Sequence, residues 1–241
     1  MAQGASHAPG LRERRARAKR RWRSSLGDVA PVLAIFLGTL ALLIILGLLL
    51  PDPETILEED LIALLFTCSL LVLGGLTWIA LHRREDEPIL GQRFAGRTAG
   101  SQLGLVGLGL AAGAAALALN LAWMLPLGRA LGEAMPSFAI PEAVGFALLA
   151  TAVGPAIGEE FAYRGVLWSG LARHLEPVAL IVTTATLFSL VHGLNGGGFM
   201  ELPPRFLLGL VLGWLRWRTG SLTPAIAAHF SNNALAVFLG S

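Results

Sequence analysis

Charged residues and cysteine are scarce in this chain. Charged side chains make up 14% of the 241 residues and hydrophobic residues 54%, whereas soluble domains carry roughly 25% charged residues. The one cysteine, Cys68, excludes an intramolecular disulfide framework and a cysteine-rich zinc site. No repeat with a period of about 20 to 50 residues is detectable, which argues against a solenoid or a propeller. This composition is that of an integral membrane protein.

Long apolar runs, by contrast, are abundant. A helix of about 20 apolar residues crosses the roughly 30 Å hydrocarbon core of a bilayer. The sequence therefore predicts an all-α fold, a polytopic bundle of about seven transmembrane helices. These runs lie near 29–50, 61–81, 102–125, 143–173, 178–195, 205–217 and 221–239. The sixth run is short, and the fourth is too long for one straight helix. We expect a kink in this fourth helix at Gly154-Pro155, because proline removes a backbone donor.

Basic residues are distributed unevenly along the chain. With a cytoplasmic N-terminus, all of them except Arg129 and Arg205 fall toward the cytoplasmic side. This asymmetry predicts a multi-pass protein of the cell (inner) membrane with its N-terminus inside. The basic segment 12–23 directly precedes the first apolar run, so we interpret it as a topology signal or a contact with anionic lipids, not with nucleic acid. The predicted divisions are a basic cytoplasmic tail (1–27), N-terminal transmembrane helices (28–135) and a catalytic helical core (136–241).

Two adjacent carboxylates, Glu159 and Glu160, lie in an apolar stretch that would otherwise read as membrane-buried. Ionisable groups in hydrocarbon cost kilocalories each, so they indicate a functional site. A turn at Glu176-Pro177 is predicted, since proline suits the first turn of a helix. Counting back along both arms of this hairpin places Glu159 and His192 at similar depth.

Helical phase separates the paired carboxylates. Glu160 and Arg164 are four residues apart and are expected to form an ion pair that supports the site, while Glu159 is rotated away from them and remains free to react. On the last helix His229 and Asn233 are also four residues apart and share one face. The next residue back, Asn232, points elsewhere by about 100° and is a weaker candidate.

Hydrolysis of an amide bond needs groups of this kind. A carboxylate deprived of water is a stronger base, so Glu159 is expected to take a proton from a water that His192 orients. The N–H of His229 and the amide of Asn233 would stabilise the oxyanion. Three alternatives stay open. His192 could be a core histidine bonded to a backbone carbonyl. The chain could be a non-catalytic membrane immunity or partner protein, or a proton-coupled transporter.

Glycines spaced four residues apart occur in two of the apolar runs. They match the small-xxx-small spacing of helix-packing faces. We therefore expect close helix contacts, and no ligand site, at Gly109 with Gly113 and at Gly209 with Gly213.

Three motifs follow one another, each in an apolar helix: Glu159-Glu160-x-x-x-Arg164, Phe188-x-x-x-His192 and His229-x-x-x-Asn233. Over residues 140–240 the chain resembles the CPBP family, the CAAX protease and bacteriocin-processing intramembrane endopeptidases related to the Ras-converting CAAX prenyl protease. The resemblance implies that Glu159 and His192 activate water while His229 and Asn233 form the oxyanion hole. It leaves supporting roles to Glu160, Arg164 and Phe188.

The resemblance also raises a question about zinc, since members have been labelled both metalloproteases and glutamic proteases. Glu159, His192 and His229 could form a three-ligand zinc site with one open position. Asn233 is a poor zinc ligand and a good oxyanion donor, so we expect a metal-free glutamic protease. The partners implied are membrane lipids and a membrane-associated or lipidated peptide or protein substrate.

Overall fold

A computed structural model describes residues 99–131, 144–172, 174–193 and 199–239, together with positions 37, 38, 41 and 45. The four ranges contain helices and turns and no strand, which confirms the all-α prediction for this part of the chain. The longer helices are α1 (Ala99–Leu131), α2 (Val144–Leu171), α3 (Pro177–His192), α4 (Leu202–Thr219) and α5 (Thr223–Leu239). A short 3₁₀ turn, Phe199–Glu201, precedes α4. Apart from the four single positions, the basic tail, the runs 29–50 and 61–81 and Cys68 lie outside the described residues.

Two of the described helices are long and apolar enough to cross a membrane. They cover Gly100–Leu127 and Val144–Leu171, and α3 is a shorter apolar helix. Helix α4 extends beyond the predicted run 205–217 at both ends. Within the described ranges, length and composition thus support two spans, and the count of about seven stays a prediction.

Helix α2 is not a regular α-helix. Its α-helical centre, Gly154–Glu160, lies between two π-helical segments, Leu148–Val153 and Phe161–Leu167. The sequence predicted an irregularity at Gly154-Pro155, and the structure shows wider winding on both sides of it. Pro155 occupies the first turn of the central segment, where proline is well tolerated. Single π-helical turns often occur beside functional groups, and Glu159 and Glu160 directly precede the second one.

The hairpin between α2 and α3 turns where the sequence predicted. Glu176 has an extended backbone, with φ −64° and ψ 155°, and Pro177 is the first residue of α3. The proline fixes where the second arm begins, and therefore which residues of the two arms lie opposite each other.

Helix α5 is the central element, since it packs against α1, α2 and α4. Glycines allow two close approaches of helices. In α1, a Cβ added at Gly113 would overlap the carbonyl oxygen of Ala228. In α4, a Cβ at Gly209 would lie 2.9 Å from the Cα of Ala185. Gly109 faces Pro224 in the same way, so the predicted packing faces are confirmed. The site described below lies where α2, α3, α4 and α5 meet.

Candidate active site

Glu160 and Arg164 form a fully buried ion pair. Their Oε1 and Nη1 atoms are 2.9 Å apart, and both side chains are 0% exposed. Arg164 Nη2 donates to the carbonyl oxygen of Gly209 on α4 at 3.2 Å. The same Glu160 Oε1 lies 3.0 Å from Nδ1 of His229 on α5. We name Glu160, Arg164 and the Nδ1 side of His229 the paired layer. The predicted ion pair is confirmed, and it joins three helices.

The paired layer determines which nitrogen of His229 carries a proton. A carboxylate can only accept hydrogen bonds, so the contact with Glu160 requires a proton on Nδ1 of His229. The opposite nitrogen, Nε2, therefore carries a lone pair and acts as an acceptor in neutral His229. It becomes a donor only in the imidazolium form. His229 is 0% exposed, and its Nε2 atom is buried without a hydrogen-bond partner among the described residues.

On the other side of His229, three groups face one another. Oε2 of Glu159 lies 3.6 Å from Nε2 of His192 and 3.9 Å from Nε2 of His229. We name Glu159, His192 and the Nε2 side of His229 the open layer. Glu159 is only 4% exposed, and its Oε2 has no hydrogen-bond partner in the described part of the chain. The hairpin arithmetic predicted that Glu159 and His192 face each other, and the 3.6 Å separation confirms it.

His192 is held by the helix that carries it. Its Nδ1 lies 2.8 Å from the carbonyl oxygen of Phe188, so Nδ1 carries the proton and a neutral His192 presents a lone pair at Nε2. The Phe188 ring is 0% exposed and contacts both imidazoles, with centroids 4.5 Å from His192 and 5.7 Å from His229. His192 therefore bonds a backbone carbonyl through one nitrogen, as the core-histidine interpretation predicted, and faces Glu159 with the other.

Asn233 lies one turn beyond His229 on α5 and bonds elsewhere. Its Nδ2 donates to the carbonyl oxygen of Thr151, in the first π-helical segment of α2, at 2.9 Å. Its Oδ1 accepts from Nδ2 of Asn232 at 3.1 Å. The structure thus brings Glu159, His192 and His229 together. Asn233 follows one helical turn after His229, and the second hydrogen of its amide is bonded to none of the described residues.

Comparison with protein-family models matches residues 141–235 to the family described as Type II CAAX prenyl endopeptidase Rce1-like. This segment belongs to the Rce1-like family. The predicted resemblance to CAAX proteases is confirmed, and all three sequence motifs fall inside the matched residues. The family match supports a protease function, and members of the family are integral membrane proteins. Searches of curated proteins and of solved structures found no match to the chain.

Two side chains of the Rce1-like domain contribute more than their sequence positions indicated. Asn232, the weaker candidate because of its helical phase, is 6% exposed and donates a hydrogen bond to the amide oxygen of Asn233. Arg216, assigned to the cytoplasmic charges, is also 6% exposed, and its Nε donates to the carbonyl oxygen of Arg164 at 3.1 Å. A signal existed for Arg216, because it is seven residues from Gly209 and so lies on the same helix face.

Zinc was the alternative occupant of the Rce1-like site. Among the described residues, no group of three or more His, Cys, Asp or Glu side chains is arranged to hold a metal ion. The three candidate ligands, Glu159, His192 and His229, approach one another through a single carboxylate oxygen at 3.6 and 3.9 Å.

Proposed function

We propose that this protein is an intramembrane endopeptidase that hydrolyses a peptide bond of a membrane-associated or lipidated substrate. The Rce1-like family suggests CAAX endopeptidase activity. The observation that carries the proposal is the open layer, where Glu159 Oε2, His229 Nε2 and His192 Nε2 converge. As a carboxylate and a neutral imidazole, Glu159 and His192 present two acceptors to each other, and His229 in its imidazolium form presents a donor at Nε2. A water molecule, which has two O–H donors, suits such a set.

The first step uses the two groups that face each other across the hairpin. One O–H of the water donates to Glu159 and the other to His192, whose protonated Nδ1 is fixed by the Phe188 carbonyl. The water oxygen then has a lone pair to direct at the substrate carbonyl carbon. As the new C–O bond forms, Glu159 takes the proton and the π electrons move onto the carbonyl oxygen.

The resulting oxyanion needs donors that are already in position. The second amide hydrogen of Asn233 supplies one, and its orientation is fixed by the bonds to Thr151 and Asn232. His229 supplies the other from Nε2 in its imidazolium form, because its Nδ1–H is already bonded to Glu160. In the second step the C–N bond breaks, the carbonyl reforms, and Glu159 gives its proton to the amine nitrogen that leaves. Glu159 is thereby regenerated.

We propose that protein side chains catalyse the reaction without a metal, because the Asn233 amide is a poor zinc ligand and a good hydrogen-bond donor to an oxyanion. The substrate is expected to reach the site from the membrane, and membrane lipids are the other partners. We also propose a multi-pass arrangement in the cell membrane with the N-terminus in the cytoplasm, on the basis of the uneven distribution of basic residues.

Substitution of Glu159 tests this function. The purified protein in phosphatidylcholine nanodiscs would be mixed with a farnesylated, fluorescent peptide whose C-terminus is free, and cleavage followed by mass spectrometry. Glu159→Gln keeps the shape and removes the base, so we expect kcat to fall by about 10² to 10⁴-fold. The matched control is Glu176→Gln, at an exposed glutamate of the α2–α3 turn, which should cleave like the wild type. Cleavage by Glu159→Gln at the wild-type rate would refute the proposed function.

A further inference from the structure

Tyr163 is the single tyrosine of the chain, and it has no part in the mechanism above. It lies in the second π-helical segment of α2, four residues after Glu159. Its side chain is 4% exposed and belongs to the hydrophobic core. A buried phenol usually has a hydrogen-bond partner for its hydroxyl. Among the described residues no such partner is found, so the hydroxyl of Tyr163 needs an explanation.

The hairpin register directs Tyr163 to the same face of α2 as Glu159. Glu159 faces His192 across the hairpin at 3.6 Å. One turn nearer to the hairpin turn, Tyr163 faces Phe188, and the two rings meet edge to face with their centroids 5.4 Å apart. Because the members of each arm are four residues apart, these two pairs lie one above the other on one face of the hairpin. The tyrosine therefore follows the carboxylate on the face that carries the site.

The winding of α2 improves the alignment of the two side chains. In a regular α-helix four residues turn by about 400°, so Tyr163 would pass the direction of Glu159 by about 40°. The π-helical segment that begins at Phe161 turns less per residue, because each of its hydrogen bonds spans one residue more. Aromatic side chains of helices also point back toward the preceding turn. In agreement with this placement, the charge of Glu159 acts on Tyr163.

The two groups have complementary hydrogen-bonding needs. The hydroxyl of Tyr163 is a donor, and a carboxylate can only accept. Oε2 of Glu159 faces the two histidines, and in the proposed mechanism it accepts from the reacting water. Its other oxygen, Oε1, is left to accept from a different donor. The hydroxyl and the carboxylate are not in direct hydrogen-bond contact, but a water molecule can accept from the first and donate to the second.

We propose that Tyr163 is a positioning residue whose hydroxyl holds the carboxylate of Glu159, through one bridging water molecule, in the orientation that proton transfer requires. This inference rests on the proposed function. The bond engages Oε1, so that Oε2 stays directed at the reacting water and at His192. Tyr163 exchanges no proton with the substrate and acts through Glu159 alone.

The single tyrosine makes this contact directly observable. Protein expressed with tyrosine that is isotopically labelled at Cζ, the carbon that bears the hydroxyl, carries the label at position 163 alone. Its NMR spectrum in phosphatidylcholine nanodiscs therefore reports one hydroxyl. Glu159→Gln removes the charge of the acceptor, so we expect the Cζ resonance to shift. The matched control is Glu176→Gln, at an exposed position of the α2–α3 turn, which should leave the resonance unchanged.

Kinetics of a second variant test the role in the reaction. Tyr163→Phe keeps the ring and its contact with Phe188 and removes the hydroxyl. On the farnesylated peptide we expect kcat to fall by about tenfold, the effect of losing a hydrogen bond to a charged group, with KM unchanged. The matched control is Ser169→Ala, which removes from the same helix a hydroxyl that bonds the Gly165 carbonyl, and it should keep the wild-type kcat. Thermal unfolding of each variant verifies that it is folded.

Three results would overturn the assignment. The Cζ resonance could stay unchanged in Glu159→Gln, which is observable without any activity. Tyr163→Phe could cleave the peptide at the wild-type rate. It could also raise KM at an unchanged kcat, which would mean that the hydroxyl binds the substrate and not Glu159.

The label also separates this inference from the proposed function. If the resonance responds to Glu159→Gln but the wild type cleaves no peptide, the contact between Tyr163 and Glu159 stands and the proposed function fails. If the wild type cleaves the peptide and the resonance does not respond, only the role of Tyr163 fails.

Discussion

Glu159 and Glu160 are adjacent in sequence and both are buried, yet their surroundings differ. In the paired layer, Oε1 of Glu160 receives hydrogen bonds from Arg164 and His229 at 2.9 and 3.0 Å. In the open layer, Oε2 of Glu159 receives none from the described residues, and the two nearest nitrogens lie at 3.6 and 3.9 Å. One carboxylate is held by the fold, and the other is available to a substrate or water. The difference arises because adjacent residues of a helix point in directions about 100° apart.

His229 connects the two layers. Its Nδ1 belongs to the paired layer and its Nε2 to the open layer, so the ion pair on one side determines what the imidazole presents on the other. A buried charge that loses its partner is strongly destabilising, whereas a buried acceptor without a donor is a cost that functional sites retain. We therefore expect changes in the paired layer to affect stability most and changes around the open layer to affect rate most.

Among the variants that test this difference between the two layers, Arg164→Met should have the largest effect. It removes the guanidinium and leaves Glu160 as a buried carboxylate without its counter-ion. We expect a loss of about 3 to 5 kcal/mol in the free energy of unfolding, measured by SDS titration in mixed micelles. Arg218→Met, at an exposed position of α4, is the matched control and should change it by less than about 0.5 kcal/mol.

A double variant sharpens the result for Arg164. In Glu160→Gln with Arg164→Met neither buried charge remains, so part of the lost stability should return, as it does when both members of a buried pair are replaced. If Arg164→Met is as stable as the control, or the double variant is no more stable than Arg164→Met alone, the ion pair is not what supports this layer.

Asn233→Ala tests the other side of the comparison. It removes a donor that the proposed mechanism assigns to the oxyanion, so we expect kcat to fall by about 10² to 10³-fold. The hydrogen bond to Thr151 is lost as well, which should cost about 1 kcal/mol of unfolding free energy. Rates on the farnesylated peptide and SDS titration give the two values. A variant with unchanged kcat and lowered stability would assign Asn233 to helix packing.

Local helical geometry made much of this site predictable. The i to i+4 spacing of Glu160 and Arg164 fixes their ion pair within one helix, and Pro177 fixes the hairpin register that brings Glu159 to His192. Contacts between helices that are distant in sequence are not determined by any such local spacing. The hydrogen bond between His229 and Glu160 was not predictable, because it depends on how α5 packs between α1, α2 and α4.

The hydrogen bond between Asn232 and Asn233 was not predicted from helical phase. Helical phase correctly turns its side chain away from that of Asn233 by about 100°, but a side-chain amide is long enough to reach its neighbour at 3.1 Å. The π-helical winding of α2 was likewise hidden, since proline marks a break without specifying its form. The wider turns place the Thr151 carbonyl where Asn233 can bond it.

Asn232→Ala should have a smaller effect than Asn233→Ala. It removes the donor that orients the Asn233 amide but leaves the amide itself, so we expect kcat to fall by about tenfold, the equivalent of about 1.4 kcal/mol. KM should be unchanged, because Asn232 is 6% exposed and its amide bonds Asn233. If only stability falls and kcat is that of the wild type, Asn232 fills space and does not position Asn233.

Removal of metal should have the smallest effect of all. In the proposed mechanism Glu159 takes the proton and Asn233 and His229 stabilise the oxyanion, so no step requires an ion. Protein purified without added zinc and treated with a chelator should keep the kcat of untreated protein, and elemental analysis should find no stoichiometric zinc. A chelator-sensitive rate restored by zinc would contradict this. The open layer would then be a metal site that closes its ligands around the ion, and the paired layer would serve to orient His229 as a ligand.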